Sequence, residues 1–172
     1  HGRWFEFTNM PGLTIRLAAH VEPILLLVAP LYGLATDPRL LLVLQTVVIA
    51  LGGLPAFWLA RHELKSSLAG LVFVAAYLLA PALEVANLAD FHAVAFSSAF
   101  LLYALYFLRR DRYLPFFLFA VLAMSTKEQV PLIVLLMGLY LVLVRGAWGW
   151  GLATAGTALV WFLLAVGVVI PH

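Results

Sequence analysis

The sequence predicts an all-α protein, a polytopic transmembrane helix bundle of about six crossings plus one juxtamembrane or re-entrant helix. Three observations lead there. Of its 172 residues, 65% are hydrophobic and 10% charged, with a mean hydropathy of +1.07. That is more apolar surface than one soluble core of this size can bury, so the solvent is lipid. The apolar residues come in runs long enough to cross about 30 Å of hydrocarbon at roughly 1.5 Å per residue. The charges fall in breaks between the runs, and the breaks alternate in kind. Arg61, His62, Glu63 and Lys65 form one, Arg109, Arg110, Asp111 and Arg112 another, and Arg145 marks a third, whereas Glu84, Asp90, His92, Lys127 and Glu128 lie between them.

Taken in order, residues 1–20 read as an external loop remnant, 21–36 as the juxtamembrane or re-entrant helix and 37–172 as the transmembrane bundle. The stretch 21–35 is short for a span and carries Pro23 and Pro30 behind a polar lead-in of Arg16, His20 and Glu22. Half-embedding it keeps His20 and Glu22 on the same side as Asp37, because broken backbone at membrane depth is tolerated where protein buries it. Residues 40–60 make the first full crossing, with Asp37 as N-cap, Pro38 at the first helical position, and a kink expected at Gly52, Gly53 and Pro55. Residues 67–80 follow, ended or bent by Pro81, then 91–108, a shorter run at 113–125, then 129–144, and finally 151–170 before Pro171. Thr126 and Gln129 have the spacing of a capping box, which would place Lys127 and Glu128 in the first turn of the next helix.

Sidedness follows from the positive-inside rule, which sends the arginine-rich breaks to the cytoplasm. The inner face then carries six Lys/Arg against two acids, and the outer face four against six. Asp90, His92, Lys127 and Glu128 meet on the outer face. The formal charge of +2 is spread over several breaks and gives no contiguous footprint for nucleic acid. With no cysteine, disulfides, thiolate catalysis and cysteine metal sites are excluded. The chain opens at His1 without a methionine or a signal-peptide pattern, and is expected to be a piece of a longer protein.

The order of motifs resembles a known superfamily. His20 and Pro23 open a leucine-rich helix; a span ending in arginine follows; then come Pro-Ala-Leu, Asp90, Arg109-Arg110, and a short aromatic run ending Ser-Thr-Lys-Glu. This pattern is similar to the GT-C superfamily of polytopic glycosyltransferases that use polyprenyl-phosphate sugars. It is most similar to a family of uncharacterised prokaryotic membrane proteins related to that superfamily, with counterparts of HGRWFEFT, HVEPILLLVAPLYGL, LADFHAVAF and MSTKEQVPLIVLLMGLYL, from His1 to about Arg145.

The resemblance implies a GT-C-like fold in the plasma (inner) membrane of a prokaryote. It implies an enzyme that transfers a sugar from a polyprenyl-phosphate donor to an acceptor on the external face. Asp90 matches the acid of the second external loop, which in relatives binds the divalent metal or orients the acceptor, and is the candidate catalytic residue. Lys127 matches the lysine of the Thr-Lys turn and, with Arg16, would bind the donor phosphate. His20 and Glu22 fall near the position where relatives hold a metal or the donor phosphate, and with His92 they are the candidate ligands of a divalent ion, Mg²⁺, Mn²⁺ or Zn²⁺. The first-loop acid would lie upstream of His1, since Glu6 sits in a different local pattern, so the piece alone is expected to be inactive.

The chemistry gives these residue types a reason. Charge develops on the leaving phosphate in the transition state and needs cations there, while a carboxylate takes the proton of the acceptor hydroxyl. Phe116, Phe117 and Phe119 would line a groove for the lipid tail. Each assignment has a plainer competitor: Asp90 as N-cap of a helix from Phe91, His92 as a hydrogen-bonded interfacial histidine, His20 and Glu22 as solvated loop residues, and Lys127 with Glu128 as a snorkelling cation and a first-turn acid. The basic breaks read as topology determinants near anionic headgroups, not as a binding site. The alternative to an enzyme is a non-catalytic transmembrane subunit of a larger membrane complex. It would pack against other membrane subunits through Gly151, Ala153, Gly156 and Ala158. Transport or haem binding is disfavoured, because the span centres are nearly free of polar residues and neither His20 nor His92 lies well inside a helix.

Overall fold

The computed structural model describes residues 20–34 and 37–169, and all regular structure among them is helical. The helices are α1 (Leu25–Leu34), α2 (Arg39–Leu51), α3 (Gly53–Leu64), α4 (Ser67–Leu78), α5 (Pro81–Leu88), α6 (Ala95–Arg109), α7 (Tyr113–Met124), α8 (Val130–Leu143) and α9 (Trp148–Leu164), the last running into a π-helical turn at Ala165–Val169. Leucine, valine and phenylalanine cover much of the outside: Leu68, Leu88, Leu136 and Leu143 are each more than 60% exposed. A surface of that kind is stable only in lipid, so the bundle is a membrane structure.

The span from Arg39 to Leu64 is 26 residues long, and Trp148–Val169 is 22; both are long and apolar enough to cross a membrane. The α4–α5 pair makes a third if counted as one span, bent by 47° at Pro81, where the ring removes a donor and clashes with the preceding turn. The helices α6, α7 and α8 have only 15, 12 and 14 residues. Among the described residues, two or three of the expected six crossings are therefore long enough by length alone. The shortfall lies in two irregular turns, Ala89–Val94 and Ser125–Gln129, which take residues that the apolar pattern assigns to helices.

Gly52 and Gly53 serve close approach. Gly52 keeps right-handed helical backbone (φ −62°, ψ −20°), and α2 runs on into α3. A Cβ at Gly52 would lie 2.2 Å from the Tyr77 hydroxyl and 3.0 Å from Ala99 Cα, so glycine lets α4 and α6 pack against this span. The α8–α9 pair uses the same device, with a Cβ on Gly138 meeting Ala155 N at 2.6 Å and one on Gly151 meeting Val142 Cγ2 at 2.5 Å. Of the small residues expected to form an outer contact face, Gly151 and Ala158 are buried within the bundle, while Ala153 and Gly156 are exposed.

The closest helix pairs are α3–α4, α6–α7 and α8–α9, and their three connections coincide with the basic breaks. Each turn reverses through one left-handed residue: Lys65 (φ 51°), Asp111 (φ 55°) and Gly146 (φ 65°). Ion pairs gather the turns at one end of the bundle. Arg109 donates to Glu63 through Nε and Nη2, at 3.1 and 2.7 Å, and Arg145 donates to Asp111. The Arg145 guanidinium, together with the Tyr113 hydroxyl, holds the Asp111 carboxyl below its ordinary value.

Candidate functional site

The other end of the bundle holds His20, Glu22, Asp90, His92 and Lys127, and its shape follows from helix length. A 26-residue span rises roughly 39 Å, whereas the 12 residues of α7 rise roughly 18 Å from the basic end. The α7–α8 turn is therefore recessed, and α1 packs over it. Ten residues of α1 rise roughly 15 Å, about half of a bilayer core. The Ile24 amide donates to the Ser125 carbonyl at 2.9 Å. Beneath this cover Ser125, Thr126 and Glu128 are all buried.

Glu128 is the polar centre of the junction. One carboxylate oxygen lies 3.3 Å from His20 Nδ1, and the other accepts from the Val21 amide at 3.2 Å. Burial pushes its carboxyl up, but its own amide, the Val21 amide and His20 outweigh this and hold it below the usual carboxylate range. His20 and Glu22, read as solvated loop residues in the plainer account, are half-buried and buried. The capping box does not form: Thr126 Oγ1 donates back to the Ala123 carbonyl at 2.7 Å, and α8 starts only at Val130, leaving Lys127 and Glu128 in the turn. The Lys127 side chain is half-buried and makes no hydrogen bond or ion pair with another described residue.

A second turn stands beside the first. Phe91, Ala93 and Phe96 share a hydrophobic cluster with Ile24, Val28 and Leu122, which brings the α5–α6 connection against α1 and the end of α7. Asp90 does not cap a helix from Phe91, since α6 begins at Ala95 without a side-chain cap. The intervening residues are irregular, so Asp90 and His92 approach each other despite a spacing that no helix face allows. His92 Nδ1 lies 2.9 Å from the Asp90 carbonyl and 3.5 Å from its carboxylate. Both side chains face outward, Asp90 being 87% exposed.

Gln45 fixes this turn, and the reading of the sequence passed it over. Fully buried in α2, it donates from Nε2 to the Ala86 carbonyl and accepts from the His92 amide, each at 2.9 Å. Its neighbour Thr46 donates to Asn87 Oδ1 at 3.0 Å. The available signal was a Gln-Thr pair in an otherwise apolar run, because a polar group at such depth needs a partner. Glu128 was read for sidedness and as a first-turn acid, and its partner at His20 lies more than a hundred residues away.

The metal set expected from the resemblance is not assembled. Among the described residues no three of His, Cys, Asp and Glu form a ligand group. His20 is engaged by Glu128, and His92 by Asp90. His20, Glu22 and His92 therefore do not fit a shared ion. Arg16 lies outside the described residues. Phe116, expected in a lipid groove, is completely buried in the core with Leu108, Ala120 and Met124. Phe119 stacks on Tyr103 at 4.7 Å, and Phe117 lies beside Trp150.

The arrangement thus offers an exposed carboxylate with an adjoining imidazole, and a neighbouring lysine held by a buried carboxylate turn, all at one end of a lipid-embedded bundle. A carboxylate of that kind can accept a proton, and the lysine can meet an anion. Comparison with curated proteins gave no match, and comparison with solved structures gave none either. Residues 1–172 match a family model described as "Predicted membrane protein (DUF2079)". The match spans the whole sequence, and the chain belongs to this family of membrane proteins.

Proposed function

We propose that this chain is part of a GT-C-like integral membrane glycosyltransferase, which transfers a sugar from a polyprenyl-phosphate donor to an acceptor on the external face of a prokaryotic plasma membrane. The arginine turns lie in the cytoplasm in this reading, and the Asp90 end lies outside. The observation that carries it is the placement of Lys127, a cation without a described partner, in a recessed turn beside the Asp90–His92 turn.

Asp90 takes the proton of the acceptor hydroxyl as its oxygen bonds to the anomeric carbon. The bond from that carbon to the phosphate oxygen breaks, and the electron pair leaves on the polyprenyl phosphate. Lys127 and Arg16 meet the charge that develops there. His92 holds the Asp90 turn through the Asp90 carbonyl, and Glu128 positions the turn that carries Lys127.

Replacing Asp90 by Asn in the full-length protein tests the reading. Transfer from a polyprenyl-phosphate sugar falls by about 10²–10⁴, the range for loss of a positioned general base. Unchanged turnover removes Asp90 from the chemistry, and no transfer by the unaltered full-length protein with any polyprenyl-phosphate sugar removes the enzyme reading.

A further inference from the structure

The basic end of the bundle holds more than a topology signal. Arg61, His62 and Lys65 of α3 and its following turn, with Arg110 at the end of α6, line one pocket of about 420 Å³, together with Trp58 and Tyr106. No acid lines it. The two carboxylates nearby are turned to other arginines, Glu63 to Arg109 and Asp111 to Arg145. Glu63 is close enough to His62 to feel its charge, but its hydrogen bonds go to Arg109. Three permanent cations thus line one pocket whose described lining holds no counter-charge, a potential that favours an anion there.

The cations are also held in place. The Arg61 guanidinium sits 5.9 Å from the centre of the Phe57 ring, and that of Arg110 sits 5.8 Å from the Tyr106 ring. Lys65 follows at the left-handed C-cap of α3, which sets where its backbone stands at the rim. One helical turn deeper, Trp58 packs on Tyr106 at 5.2 Å and on Tyr103 at 6.3 Å. The pocket is therefore cationic at its rim and aromatic toward the hydrocarbon, the profile of a phosphate headgroup with the start of its acyl chains.

We propose that Arg61, His62, Lys65 and Arg110 form a binding site for the phosphate headgroup of an anionic membrane lipid, whose glycerol and first acyl carbons lie against Trp58 and Tyr106. The site is at the opposite end from Asp90 and is independent of the transferase reading.

Full-length protein in nanodiscs of phosphatidylcholine with a minor fraction of phosphatidylglycerol supplies the test, with retained lipid counted by native mass spectrometry. Affinity for phosphatidylglycerol falls about fivefold for each cation removed, hence roughly 25-fold in Arg61→Gln/Arg110→Gln. The control Arg39→Gln/Arg112→Gln, which removes the same charge outside the pocket, retains wild-type lipid. Equal loss in the two variants, or none in the first, overturns the site. Inorganic phosphate that binds in phosphatidylcholine-only nanodiscs and displaces phosphatidylglycerol overturns the lipid assignment in favour of a free-anion site. Should the double variant misfold, the unaltered protein still decides the matter. Phosphatidylglycerol with brominated chains quenches the Trp58 fluorescence, read as the difference from Trp58→Phe, more than brominated phosphatidylcholine at the same fraction, and equal quenching refutes the proposal.

Discussion

Replacing Glu128 by Ala severs the link between the segment entering α1 and the α7–α8 turn. The side chain accepts the Val21 amide at 3.2 Å and faces His20 at 3.3 Å, both at the long end of hydrogen-bond geometry. The buried amide bond to a charged acceptor is worth about 1.5 kcal/mol. The histidine pair, with His20 44% exposed, adds about 0.5 kcal/mol after solvent screening. A loss near 2 kcal/mol raises the population of the undocked segment about thirtyfold. Hydrogen exchange of the Val21 and Ile24 amides in nanodisc-embedded protein reads that population directly. Glu128→Gln retains an acceptor for Val21 and falls between the two. The dependence on pH has a fixed sign. A carboxyl held below its ordinary value stabilises docking fully above the unfolded value of about 4.3, and this contribution is lost as pH falls through the lowered native value. The protection factor, which is exchange corrected for its intrinsic pH dependence, is therefore flat from neutrality to about pH 5 and falls below about pH 4. Acceleration of less than about threefold in Glu128→Ala would show that apolar packing of Ile24 and Val28, and not the carboxylate, holds the segment.

Two further outcomes follow from packing and buried polarity. Gly138→Ala places a methyl 2.6 Å from Ala155 N, so α8 and α9 must separate by about 0.8 Å to reach ordinary contact, at a cost of about 1–3 kcal/mol in unfolding measured in detergent; Gly156→Ala, with open space around it, is near neutral, and equal stabilities refute the close-approach argument. Gln45→Leu removes both 2.9 Å bonds to the α5–α6 connection and destabilises by about 1–2 kcal/mol, with faster exchange at the His92 amide, and an unchanged amide there excludes Gln45 as its anchor.

The solvent, the helical class and the grouping of charges were legible in the amino-acid order, because lipid requires every backbone group to be satisfied within its own helix and excludes charge from the spans. Pro81 as a bend and the basic breaks as turns belong to that level, since both are set by local sterics and charge. Helix ends were less legible. Apolar residues run without pause from 93 into α6 and from α7 to Ser125, but hydrogen bonds to Gln45, and to the backbone near α1, hold the two turns irregular. The joining of His20 to Glu128, the burial of Phe116 and the emptiness around Gly156 were beyond it, for these depend on which helix lies alongside. Periodicity says that a residue faces a neighbour, and only the packed bundle says which one.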